Sequence, residues 1–64
     1  NNFEIFFKKK IITNKINQII IDNTAGFKSG NLKEFEWLNN CVKKQEIPQH
    51  NYIDVFYIKK NCLN

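Results

Sequence analysis

The stretch Tyr52-Ile53-Asp54-Val55-Phe56-Tyr57-Ile58 constrains the fold most. It is aromatic and β-branched almost throughout, a composition that suits a pleated strand. Both of its faces are apolar except at Asp54, which predicts a central strand paired on each side. Two earlier runs are candidates for the partners. Phe3-Glu4-Ile5-Phe6-Phe7 is β-rich, Lys8-Lys9-Lys10 interrupts it, and Ile11-Ile12-Thr13 resumes β-branched chemistry. After a turn at Asn14-Lys15, Ile16-Asn17-Gln18-Ile19-Ile20-Ile21 reads as a second strand, so the two runs predict a hairpin.

Asp22 to Gly30 reads as a loop that holds both glycines of the chain, each placed where φ > 0 is accessible. A helix is then expected from Asn31 to about Lys44 or Gln45. Asn31 and Glu34 have the spacing of a capping box, and Pro48 disfavours helical geometry at Ile47. Phe35, Leu38 and Val42, with Cys41 on their flank, form the stripe that faces the sheet. Lys33, Trp37, Asn40 and Lys44 fall on the far side. The expected fold class is α/β, bordering on α+β. A small three-stranded sheet in β-β-α-β order carries one amphipathic helix, and the last strand lies parallel to a neighbour through a right-handed crossover.

With 64 residues, the chain reads as a single small domain over 1–64, or a truncated piece of a larger one, and a domain of this size buries only about 60% of its unfolded surface. The longest aliphatic run is Ile19-Ile20-Ile21, far short of the roughly 20 apolar residues of a membrane span. The N-terminus runs from apolar to basic, the reverse of a secretory signal. Cys41 and Cys62 flank a single histidine, His50, too few ligands for a zinc site; their expected state is two free packing thiols, with a disulfide between them as the alternative. His50 reads as an ordinary surface or capping residue. No nucleophile-base set, paired carboxylates or phosphate-loop spacing appears. No catalytic residue, cofactor, metal, small-molecule substrate or membrane partner is therefore expected.

Charge supplies the functional lead. Ten lysines, no arginine and six acids give a net charge of +4. The excess of Asn, Ile and Lys fits an A+T-rich coding bias. Lysines cluster at Lys8-Lys9-Lys10, at Lys43-Lys44 and at Lys59-Lys60, with Lys28 in the glycine loop. Three adjacent like charges repel unless a polyanion neutralises them, and RNA is the natural polyanion. Without arginine there is no bidentate fork for guanine edges, so recognition by shape and backbone is expected. The Gly26 to Gly30 loop either offers backbone N–H groups and Lys28 to a phosphate or is an ordinary connection. Trp37, between Lys33 and Lys44, is either a docking residue for a base or protein neighbour or is covered by lysine stems.

The order of these parts resembles the universal small-subunit ribosomal protein family numbered eleven. Lys10-Ile11-Ile12-Thr13 stands where that family has a threonine-rich first strand. Thr24-Ala25-Gly26 is similar to its Ser-Ala-Gly step, and Phe27-Lys28-Ser29-Gly30 to its Gly-Phe-Lys-Gly loop. Ile53-Asp54-Val55, followed by Ile58-Lys59, is similar to its Val-Asp-Val strand. Lys60-Asn61-Cys62 replaces the family's Gly-Pro-Gly turn. The large-subunit family numbered eighteen has a related plan. The resemblance implies a structural, non-catalytic small-subunit protein, in reduced or split form, contacting rRNA and neighbouring ribosomal proteins. Its loop contacts would be Thr24, Ala25, Gly26, Lys28 and Gly30, while Lys8, Lys9, Lys10, Lys59 and Lys60 come from the charge argument. With the coding bias, it implies a ribosome in a mitochondrion, or else in a plastid or the bacterial cytoplasm. Two other readings stand beside it: a protein-interaction module or accessory subunit of a large ribonucleoprotein complex, and a small phage or bacterial nucleic-acid-binding protein.

Overall fold

A computed structural model describes residues 2–47 and 51–63. His50 and Pro48 lie outside the described residues. The fold is mixed α and β, with one longer helix against a three-stranded sheet. The order of elements is α1 (Asn2–Thr13), β1 (Gln18–Asp22), a 3₁₀ helix η1 (Ser29–Glu34), α2 (Glu36–Asn39), β2 (Val42–Gln45) and β3 (Ile53–Ile58). This corrects the β-β-α-β order. The sheet order is β1-β3-β2 and both pairings are antiparallel, so no parallel crossover joins the strands among the described residues. β3 is central, as its two apolar faces require.

The expected first strand is instead α1. In a strand, Lys9 would share a face with Phe7 and Ile11. The helix sends Lys8, Lys9 and Lys10 to water while Phe7 and Ile11 reach the core. Phe3 and Phe7, one turn apart, stack with ring centroids 5.8 Å apart. Phe7 meets Phe35 edge-on at 5.7 Å.

α1 ends in a Schellman motif. The Ile16 N–H donates to the Ile11 carbonyl at 3.0 Å, and the Lys15 N–H to that of Ile12 at 3.2 Å. The turn falls at Asn14-Lys15, where the sequence places it. Lys15 itself takes the left-handed conformation, φ 52°. That conformation costs a side-chain-bearing residue about 1–2 kcal/mol, whereas glycine adopts it freely but loses more chain entropy. Lys15→Gly should therefore stabilise the fold by about 0.5–1 kcal/mol. A lower urea midpoint for this variant would contradict the motif.

The long helix expected from Asn31 is also replaced. The buried residues Leu32, Phe35, Leu38 and Cys41 recur every third position, the period of a 3₁₀ turn rather than of an α-helix. Phe35, at φ −117° and ψ 82°, separates η1 from α2. Asn31 is not an N-cap. Its Oδ1 accepts the Lys28 N–H at 2.8 Å, one turn earlier. Residues 42–45 then leave the helical path because β3 needs a second partner and α1 does not supply it. Val42 pairs with Ile58, Lys43 with Tyr57, Lys44 with Phe56 and Gln45 with Val55.

The cysteines are not free thiols. Cys41 and Cys62 form a disulfide, Cα–Cα 5.6 Å. The Lys59 N–H donates to the Cys41 carbonyl at 2.7 Å, so this hydrogen bond extends the β2–β3 ladder beyond its last pair beside the bridge. Leu38 sits at the centre of the core, fully buried, with Ile11, Ile21, Leu32 and Phe35 around it.

Candidate nucleic-acid interface

Strand alternation sorts the sheet into two faces. Ile19, Ile21, Phe56, Ile58 and Val42 pack on the core beneath the helices. The opposite face consists of cross-strand rows set by the register: Gln18–Tyr57–Lys43, then Ile20–Val55–Gln45, then Asp22–Ile53. Gln18, Ile20, Asp22, Tyr57, Lys43 and Gln45 on this face are exposed, whereas Ile53 is half-buried and Val55 is buried. Tyr57, 40% exposed, thus lies on the central strand between Gln18 and Lys43, in the row at one end of the sheet.

Two adjoining depressions lie at the Tyr57 end of the sheet. A groove of about 540 Å³ runs between the end of α1 and the segment after β3. Lys15, Lys59, Lys60 and Asn61 line its rim, and Ile11, Ile12 and Leu63 lie in its wall. A shallower depression of about 370 Å³ is lined by Asn17, Gln18, Tyr57 and Ile58. Asn17 and Ile58 border both, so the two adjoin at the end of the sheet. The Ile58 N–H donates to the Asn17 carbonyl at 2.8 Å and fixes that junction. The result is a strip from Lys59 and Lys60, past Lys15 and Asn17, onto the Tyr57 row.

The other sequence-derived site residues lie elsewhere. Lys8, Lys9 and Lys10 fan around α1, since neighbours on a helix are about 100° apart. Lys8 Nζ sits 5.4 Å from the Trp37 ring centroid, and Lys10 Nζ 5.5 Å from that of Phe6. Trp37 is not on an outward polar face. It is half-buried, its Nε1–H donates to Glu4 Oε1 at 2.7 Å, and its ring meets Phe7 edge-on. Lys33, Trp37 and Lys44 belong to three different elements, η1, α2 and β2. Lys44 Nζ is paired with Asp54 Oδ1 at 3.2 Å.

The glycine loop is committed to holding itself and the sheet. Neither glycine has a positive φ. The Thr24 N–H and hydroxyl both donate to Asp22 Oδ1, at 2.9 and 2.6 Å, and the Ala25 N–H to the Asp22 carbonyl at 3.1 Å. The Ser29 N–H donates to Asn23 Oδ1 at 2.7 Å. The Ser29 hydroxyl and the Asn23 Nδ2–H converge on Asp54 Oδ2 at 2.5 and 2.9 Å. These hydrogen bonds, Ser29's first, hold the Asp54 carboxyl below the usual carboxylate range, and those from Thr24 do the same for Asp22. Amides of Thr24, Ala25, Lys28 and Ser29 are thus already occupied within the protein. Gly26 and Gly30 have nothing within 4 Å of an added Cβ, and Thr24, Ala25, Gly26, Lys28 and Gly30 form a surface bend apart from the Tyr57 strip.

Sequence reasoning did not find Gln18, Tyr57 and Lys43 as a row, nor Lys15 and Asn17 as part of a groove. The alternation of β3 marks Tyr57 as opposite in facing to Phe56, but its row-mates depend on which strands pair. Among the described residues, no cluster of His, Cys, Asp or Glu suited to a metal is present, and no helix is long and apolar enough to cross a membrane. Comparison with protein-family models, curated proteins and solved structures yields no match.

Proposed function

We propose that the protein binds RNA non-catalytically, as a constituent of a ribonucleoprotein particle. The observation that carries this reading is the placing of Lys15, Lys59 and Lys60 along one groove that adjoins an exposed aromatic row. Lysines engage phosphates as point charges and leave base identity largely unread. An exposed tyrosine beside them offers a π-face to any base. The particle that the family resemblance names is the small ribosomal subunit, with rRNA and neighbouring ribosomal proteins as partners and an organelle as its place. Lys8, Lys9 and Lys10 would add a diffuse field from α1 rather than a second groove.

The test is affinity for RNA over a salt series, together with co-sedimentation with ribosomal subunits. Lys59→Gln with Lys60→Gln should flatten the slope of log K against log salt by about 1.4 for a single strand. Lys8, Lys9 and Lys10 replaced together by Gln should lower affinity with a smaller effect per lysine. A slope that no lysine substitution changes would sink the reading.

A second reading has its own support. Disulfides persist in oxidising compartments and are rare in reducing ones, and α1 exposes Ile5, Phe6 and Ile12. Both features fit an interaction module that docks on a protein partner outside a reducing compartment. Finding Cys41 and Cys62 reduced in the protein isolated from its cell would favour the ribosomal particle.

A further inference from the structure

We infer that the open sheet face selects single-stranded RNA, with one base stacked on Tyr57. The inference rests on the RNA-binding reading and adds the form of the ligand. Four observations support it.

Tyr57 is exposed on the central strand β3, flanked by a strand on each side, in the row at one end of the sheet. Its two register neighbours on the same face are Gln18 and Lys43. An amide can donate to and accept from a base edge, and an ammonium can neutralise a phosphate next to the stacked base. The groove carrying Lys15, Lys59 and Lys60 adjoins this row at Asn17 and Ile58, which places positive charge where the neighbouring backbone of a bound strand would run. Finally, the carboxylate on this face is placed away from the strip: Asp22 pairs with Ile53, two rows from Tyr57, and its Oδ1 is held by Thr24.

A duplex does not fit this arrangement. Its bases are stacked on one another and present edges, not faces, to a tyrosine ring. An extended strand splays its bases and can place one on the ring while its phosphates follow the lysines. An acidic protein segment would satisfy the lysines but would gain nothing specific from an aromatic face between Gln18 and Lys43.

The experiment measures fluorescence anisotropy with a labelled eight-nucleotide oligouridine and with an RNA duplex of equal length, at one low salt concentration. The folded state of each variant is checked by far-UV circular dichroism. The wild type should bind the single strand more tightly than the duplex. Tyr57→Ala should weaken single-strand binding about tenfold and leave duplex binding unchanged, and Tyr57→Phe should retain both. Equal losses on the two RNAs, or no preference in the wild type, would overturn the inference while leaving RNA binding intact. Failure to bind either RNA would overturn the RNA-binding reading and this inference with it.

Discussion

Reducing the Cys41–Cys62 bridge should lower the unfolding midpoint by on the order of 10–20 °C. The bridge joins residues 21 positions apart and encloses β2 and β3, two of the three strands. Closing a loop of that length restricts the unfolded chain by about 3 kcal/mol, a large share of the stability of so small a domain. In the folded state, the bridge also holds the segment bearing Lys59 and Lys60 against the start of β2 through the Lys59–Cys41 hydrogen bond. Thermal unfolding followed by circular dichroism, with and without reductant, reads the effect. Cys41→Ala with Cys62→Ala gives the same comparison without added thiol. Alanine suits Cys41, whose buried site would leave a serine hydroxyl without a partner. Superimposable curves in the two conditions would show that the bridge contributes nothing.

The second large effect is expected at Leu38. Its side chain is fully buried, and it sits where η1, α2 and the sheet meet. Leu38→Ala removes apolar surface and leaves a cavity, a change worth about 3 kcal/mol. Leu38→Met preserves most of the volume and should cost less than about 1.5 kcal/mol. Urea denaturation of both variants separates loss of packing from loss of the residue itself. A Leu38→Ala variant within about 0.5 kcal/mol of the wild type would mean that the core lies elsewhere.

The sequence made parts of this fold readable because some signals are local. Both faces of β3 are apolar, and that alone places it at the centre. Ile19 to Ile21 and the turn at Asn14-Lys15 carry their own propensities. α1 was not readable in the same way, because Phe3 to Phe7 and Ile11 to Thr13 favour strands locally. What decides for a helix is the contact of Phe7 with Phe35 and the burial of Ile11 in the same core, and those partners are remote in sequence. The third-residue recurrence of Leu32, Phe35, Leu38 and Cys41 was a readable sign of a 3₁₀ path, but Val42 extends it equally well as an α-helical stripe. The disulfide requires Cys41 and Cys62 to meet across the β2–β3 register, which no spacing rule supplies. The candidate site shares that limit. The lysines were visible one by one, but the row of Gln18, Tyr57 and Lys43 comes into being only when β3 takes β1 on one side and β2 on the other.

The two outer strands of the sheet are not alike. β2 carries adjacent lysines, and charges on an outer strand discourage a second chain from adding to it. β1 presents Gln18-Ile19-Ile20-Ile21 before its first charge at Asp22, and Ile20 is 65% exposed. One border of the sheet is therefore guarded, and the other is open to pairing with a second strand. Self-association should accordingly stop at a pair of chains joined β1 to β1, because such a pair presents only β2 borders to further copies. The protein's shelf life in concentrated solution then depends on one short border, Ile19 to Ile21, more than on its net charge.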